Sequence, residues 1–199
     1  MVPRIMVTGL PGVGKTTLTS HSQIQEMEIR VVSFGKEMVG LGKTQKLIKN
    51  EKDIESLEFD KRVTLQIETA EKILSITDLP VIIDGHLIVD TPAGIIPGLP
   101  QDCISKLSLK AIIQLTAPDD EIIRRREGRS KKYSLLREWT NVERVKQNKF
   151  LLSEACLYYA LLSDASFEVV ENPKGFLEEK TLVRFIELLR IIIPSLDCD

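Results

Sequence analysis

"VTGLPGVGKTT" (residues 7–17) is the stretch from which the rest of the chain is read. Gly9 to Thr16 fits G-x-x-x-x-G-K-[ST], the turn that joins a strand to a helix and cradles phosphate. The glycines let the main chain of Gly9, Leu10, Gly12, Val13 and Gly14 turn its N–H groups inward, close to anionic oxygens, with Pro11, which has no N–H, in the same turn. A helix opening near Lys15 adds the positive end of its dipole. Lys15 is placed to reach the terminal phosphates, Thr16 offers a hydroxyl to Mg²⁺, and Thr17 closes the run. The flanks agree with this reading, since apolar Ile5–Thr8 precedes it. The motif predicts a nucleoside triphosphate site.

Four further runs resemble the strand that enters this turn: Ile29–Ser33, Val81–Asp84, Ala111–Leu115 and Phe167–Val170. Each is rich in β-branched residues, and helical spacing separates them. Helices are expected over about Asp53–Thr77, Leu135–Ser163 and Leu177–Ile193, the last stopped by Pro194. Strands alternating with helices specify an α/β fold, a mostly parallel sheet covered on both faces. Ligands gather at the carboxyl ends of such strands. The unusual segments fall there: the glycine turn, "FGKEM", "DGHLIVDTPAGIIPGLP", "RRREGRSKK" and "ENPKG".

Length and charge set the limits of function. The 199 residues suit one domain, and 43% apolar content supplies a core. A net charge of -2 provides no global field for nucleic acid or an anionic membrane, so local cations must meet any bound anion. No apolar run approaches a membrane span, and the first residues read as a strand. Three cysteines without metal-like spacing and two histidines argue against a zinc site and suit a reducing, cytoplasmic compartment.

Asp84 closes the third strand, where phosphate-cradle proteins place the acid that holds the metal's water shell. His86 follows it and can meet a phosphate, a metal-bound water or only the protein. Arg124, Arg125, Arg126, Arg129, Lys131 and Lys132 crowd the segment after the fourth strand. On a helix Arg125 and Arg129 stand one turn apart, as do Arg126 and Arg129. A basic flap of this kind neutralises charge on a moving phosphoryl group and excludes water. The N-K-x-D sequence that reads guanine is absent.

Taken together, "VTGLPGVGKTT", "FGKEM", "IDGHLIVDTPAGIIPGLP", "RREGR" and "LLSDASFEVVENPKG" resemble the archaeal branch of the adenylate kinases over nearly the whole chain. The resemblance implies a phosphate-loop NTPase fold with strand order 2-3-1-4-5, the reaction ATP + AMP ⇌ 2 ADP with Mg²⁺, and a homotrimer. It implies an acceptor-binding segment about residues 34–78 and a short lid about 124–134 within a single domain, 1–199. Lys15, Arg126 and Arg129 would act on the phosphates. Asn172 and Pro173, in the loop Glu171–Gly175, would lie by the adenine of ATP. Phe34, Gly35, His86, Pro97, Gly98 and Leu99 would bind the acceptor, and Asp84 would hold the metal through water. In this picture Pro92, Pro97 and Pro100 stiffen a loop that walls the pocket without closing a sheet, and Gly94 and Gly98 admit the nucleotide near the backbone.

Several positions depart from the family pattern. Gly85 stands where a hydroxyl residue is usual, and Lys36 where an acid is. Basic residues expected near Glu55, Asp90 and Ser153 are missing. A monophosphate carries close to two negative charges, so Lys36, Arg62, Arg144 and Lys149 are the candidates to replace them. The alternatives are a kinase for CMP, UMP or GMP, and an ATPase acting as an RNA or protein assembly factor. Near-neutral charge and the acceptor loop weigh against nucleic acid as a partner.

Overall fold

The computed structural model describes residues 2–54, 56–91, 94–129 and 141–197. Its strands are β1 (Arg4–Thr8), β2 (Arg30–Ser33), β3 (Val81–Asp84), β4 (Ile88–Thr91), β5 (Gly94–Pro97), β6 (Ala111–Thr116) and β7 (Ser166–Glu171). Its α-helices are α1 (Lys15–Thr19), α2 (Ser22–Gln25), α3 (Phe34–Thr44), α4 (Phe59–Leu74), α5 (Gln101–Leu107), α6 (Asp119–Arg129), α7 (Val142–Ser163) and α8 (Glu179–Ile192). The main sheet runs β2-β3-β1-β6-β7, and every pairing in it is parallel. Counting these five strands alone, the order is the expected 2-3-1-4-5.

The apolar runs form the strands because both faces of the central three are covered. Ile5, Met6, Val7, Ile82, Ile83, Ile112 and Ile113 are fully buried, each contributing about 1.5–3 kcal/mol relative to exposure. The two outer strands differ from expectation. β2 and β7 are only partly covered, because an edge strand has a neighbour on one side alone. Arg4, buried in β1, donates to the carbonyls of Leu74 and Ile76 at 2.9 and 3.3 Å. It thereby satisfies orphan carbonyls at the end of α4.

Two elements begin where the sequence pattern did not place them. The expected helix from Asp53 is instead a 3-10 turn, Glu51–Ile54, followed by α4 from Phe59. The Asp53 carboxylate accepts from the Lys49 and Asn50 N–H groups at 2.7 and 3.0 Å, a local closure that competes with a continuous helix. α7 opens at Val142, where the Asn141 side chain accepts from the Arg144 N–H; the expected stretch 135–140 lies outside the described residues. The proline-rich segment after β3 also holds structure. β4 and β5 pair antiparallel, Ile88 opposite Pro97 and Thr91 opposite Gly94. The loop expected to avoid a sheet therefore carries a small one of its own, with Pro97 at the strand end where its missing donor costs little.

Register positions the functional ends of the strands. Val7 of β1 sits beside Asp84 of β3 on one side and Ile113 of β6 on the other. The glycine turn therefore leaves the sheet at its centre, next to the carboxylate that ends β3.

Candidate active site

The turn is held in shape from within the protein. Leu10 and Val13 bury their side chains in the core, so their main chain is what they offer a ligand. Gly9 passes beside the Leu115 carbonyl of β6. Gly12 and Gly14 take φ of 99° and 104°, a region that L side chains adopt only with strain. Gly14 is doubly constrained, since a Cβ there would stand 2.7 Å from Asn172 Nδ2 and 2.8 Å from the Phe176 carbonyl oxygen. Pro11 and Thr16 are exposed at the mouth, with Thr17 partly covered.

Lys15 is 8% exposed, and its Nζ lies 3.2 Å from Asp84 Oδ1. The two charges predicted from separate motifs are thus brought together across the β1–β3 pair. Asp84 and Thr16 provide a carboxylate and a hydroxyl, hard oxygen donors of the kind Mg²⁺ takes. No cluster of three or more His, Cys, Asp or Glu ligands occurs among the described residues. A metal here would complete its shell with water and phosphate oxygens, as Mg²⁺ usually does.

His86 keeps much of its surface open at the cleft mouth. Crowding by the cleft walls, then the charge of Lys15, push its imidazole down to about 4, against the opposing pull of Asp84. It is neutral at physiological pH. Gly85, where the family pattern leads one to expect a hydroxyl, is explained by Met6. The Met6 sulfur lies 3.0 Å from where a Cβ would stand, so the thioether fills the space.

The acceptor-side residues divide into core and cleft. Phe34 and Leu99 turn their side chains into the core, leaving main chain to face a ligand. Gly35 has open space at its Cα. Gly98 was expected to admit a nucleotide, but its lack of a side chain serves the protein: a Cβ would overlap the His86 carbonyl oxygen. The Gly98 N–H donates to the Leu87 carbonyl, Gln66 Nε2 donates to the Gly98 carbonyl at 2.9 Å, and Tyr159 Oη donates to the Leu99 carbonyl at 2.9 Å. Pro97 remains exposed at the end of β5.

Two of the four candidates to replace the missing cations, Arg144 and Lys149, are themselves occupied. Asp90 on β4 receives hydrogen bonds from Arg144 and from Asn148 Nδ2, both on α7. Burial pushes the Asp90 carboxyl up, but those bonds and the charges of Arg144 and Arg126 outweigh it and hold it below its ordinary value. Ser153 Oγ donates to Gln114 Oε1 at 3.0 Å. Lys149, expected to reach the place of Ser153, instead donates to the Ala117 carbonyl and to Asp119 at the start of α6. Glu55 lies outside the described residues. Of the four candidates, Lys36 on α3 and Arg62 on α4 have no carboxylate partner among the described residues, Arg62 resting over the Phe59 ring.

The basic run is not uniform. Arg124 is exposed and paired with Glu121. Arg126 Nε donates to the Pro11 carbonyl at 2.8 Å, at the edge of the glycine turn. Its guanidinium is lowered by burial, with Asp90 pulling the other way. Helix α6 carries the chain to Arg129; the Arg129 side chain and residues 130–134 of the expected lid lie outside the described residues. Arg125, read in the sequence as one more cation, is instead buried behind the glycine turn. Only a contact with residues far along the chain could have distinguished it.

On the base side, Asn172 is fully buried and Pro173 partly so. The Asn172 side chain donates to the Val13 and Phe176 carbonyls and accepts from the Glu178 N–H. Its polar atoms are spent within the protein, so this loop presents backbone to a ligand.

The chain is similar to known proteins over most of its length. The AAA domain family matches residues 8–145. An adenylate kinase of Methanopyrus kandleri is 30% identical, covering 94% of this chain and 97% of its own. One of Methanocaldococcus jannaschii is 28% identical with the same coverage. Among solved structures, shikimate kinase from Bacteroides thetaiotaomicron superposes with a TM-score of 0.59 at 14% identity, over 94% of this chain and 98% of that one. That last likeness speaks to the fold alone. The end-to-end match in sequence, with a lysine and a carboxylate meeting at the head of the central strands, means that this chain belongs to the archaeal adenylate kinases, within the AAA domain family.

Proposed function

We propose that this chain transfers a phosphoryl group from ATP to AMP, giving two ADP. The observation that carries the proposal is the Lys15–Asp84 pair at 3.2 Å beneath a glycine turn of the right shape, in a chain related to adenylate kinases over 94% of its length. The turn's N–H groups bind the donor phosphates, and Lys15 leaves Asp84 to meet them. Arg126, already at the turn's rim, and Arg129 steady the charge on the moving group. Mg²⁺, held by the Thr16 hydroxyl and through water by Asp84, would neutralise phosphate charge when bound. Asn172 and Pro173 face the donor base with main chain. Gly35, Pro97 and the main chain of Phe34, Gly98 and Leu99 border the acceptor, with neutral His86 as a hydrogen-bonding group and Lys36 and Arg62 as the free cations.

The compartment is a reducing cytoplasm, a reading supported by Cys103 and Cys156. Both are buried free thiols that burial pushes up to about 12. No helix among the described residues is long and apolar enough to cross a membrane. The assembly is a homotrimer. Its support is the family resemblance together with an apolar stripe on α7, where Phe150, Leu157, Tyr158 and Leu161 are exposed at helical spacing.

The test is ATP with a panel of AMP, CMP, UMP and GMP, reading diphosphate formation. AMP should be the fastest acceptor, and Lys15→Ala should lower turnover by more than about 100-fold, the scale expected for a lost transition-state contact. Faster transfer to another monophosphate assigns a different kinase, and ATP hydrolysis indifferent to every acceptor assigns an ATPase.

A further inference from the structure

Arg125 is engaged at all three of its guanidinium nitrogens. Its side chain is 4% exposed, although arginine is seldom buried this deeply without a task. Nη1 donates to the Gly12 and Val13 carbonyls at 3.2 and 3.1 Å. Nη2 donates to the Asn172 carbonyl at 2.9 Å, and Nε donates to Glu121 Oε1 at 2.7 Å. One planar group therefore ties α6, the glycine turn and the β7–α8 loop together.

The consequences follow from which atoms it holds. A glycine turn binds phosphate only while its N–H groups point inward, which requires its carbonyls to point away. Carbonyls turned into the protein must find donors there. Arg125 supplies them to Gly12 and Val13, and Asn172 Nδ2 adds a second donor to Val13 at 2.9 Å. The same guanidinium holds the main chain of Asn172, in the loop read as lying by the donor base. The spacing between the phosphate cradle and the base loop is thus set by a rigid fork rather than by flexible contacts. Lysine could keep the charge but not these directions, because its donors radiate from a single nitrogen.

We infer that Arg125 is a positioning residue for the donor nucleotide: it clamps the outward carbonyls of the phosphate turn to the base-side loop, so that both ends of ATP meet a preformed site. This rests on the adenylate kinase reading for its substrate, and it assigns Arg125 a place apart from Arg126 and Arg129. Arg125 touches neither phosphate nor base, and its effect passes through the main chain of Gly12, Val13 and Asn172.

Arg125→Lys tests it, with KM measured separately for ATP and AMP and with amide hydrogen exchange on the nucleotide-free protein. The expected result is a rise of about tenfold in the KM for ATP, with the KM for AMP within about twofold of wild type. Amides of residues 12–17, Asn172 and residues 174–177 should exchange faster, while those of β1 and β6 keep their protection. A matched rise in both KM values, or unchanged exchange at the turn and loop, overturns the clamp. Should Arg125→Lys fail to fold, Glu121→Gln, which withdraws the anion holding Nε, must show the same split in smaller measure. Absence of the split there also overturns it. If wild type makes no ADP from ATP and AMP, the functional reading fails, and the exchange arm still decides the clamp.

Discussion

At the scale of single residues, charge in this site is settled by pairing rather than by counting. Glu121 shows this most clearly. Hydrogen bonds from Arg124 hold its carboxyl down to about 2, against the upward push of burial and with the bond and charge of Arg125 adding to the effect. A carboxyl lowered in the folded state contributes stability above its ordinary value near 4.5, and that contribution disappears as pH falls towards 2. Glu121→Gln should therefore be less stable than wild type at pH 7, with the two urea midpoints converging as pH approaches 2; parallel curves would refute the assignment. The sequence announced Lys15, Thr16 and Asp84 because their chemistry is written in local spacing. It could not announce Arg125, since three consecutive arginines look alike until one is seen against carbonyls more than a hundred positions away. The close approach of Gly98 to the His86 main chain was hidden for the same reason.

At the scale of elements, the β4–β5 hairpin is strapped to α7 by Asp90, Arg144 and Asn148. The pair is partly exposed, so it lies between a surface bridge and a buried one. A double-mutant cycle with Asp90→Ala and Arg144→Ala should give a coupling of about 1 kcal/mol in urea unfolding. A coupling indistinguishable from zero would mean that the strap holds nothing. Strands and long helices were legible because burial imposes periods of two and 3.6 on the sequence. The hairpin was not, because prolines and glycines mark turns and edge strands equally. The false start at Asp53 arose because a carboxylate that captures nearby N–H groups leaves the apolar spacing untouched.

At the scale of the whole molecule, strand alternation made the α/β architecture readable, while the proposed trimer would rest on the exposed face of α7. Leu161 is 75% exposed there and Phe150 64%. Light scattering should return three chain masses, and Leu161→Glu should return one; a monomeric wild type would refute the trimer. The central position of β1 carries a further implication for synthesis. It is made before its partners, Val81–Asp84 and Ala111–Thr116, and the fork behind its turn reaches as far along the chain as Asn172. Pairings so distant along the chain form slowly and late. On the clamp proposed for Arg125, a nascent chain halted before residue 172 would possess the whole glycine motif and still lack a preformed grip on ATP, so the capacity to bind nucleotide becomes a sign that β7 and the loop after it have been made.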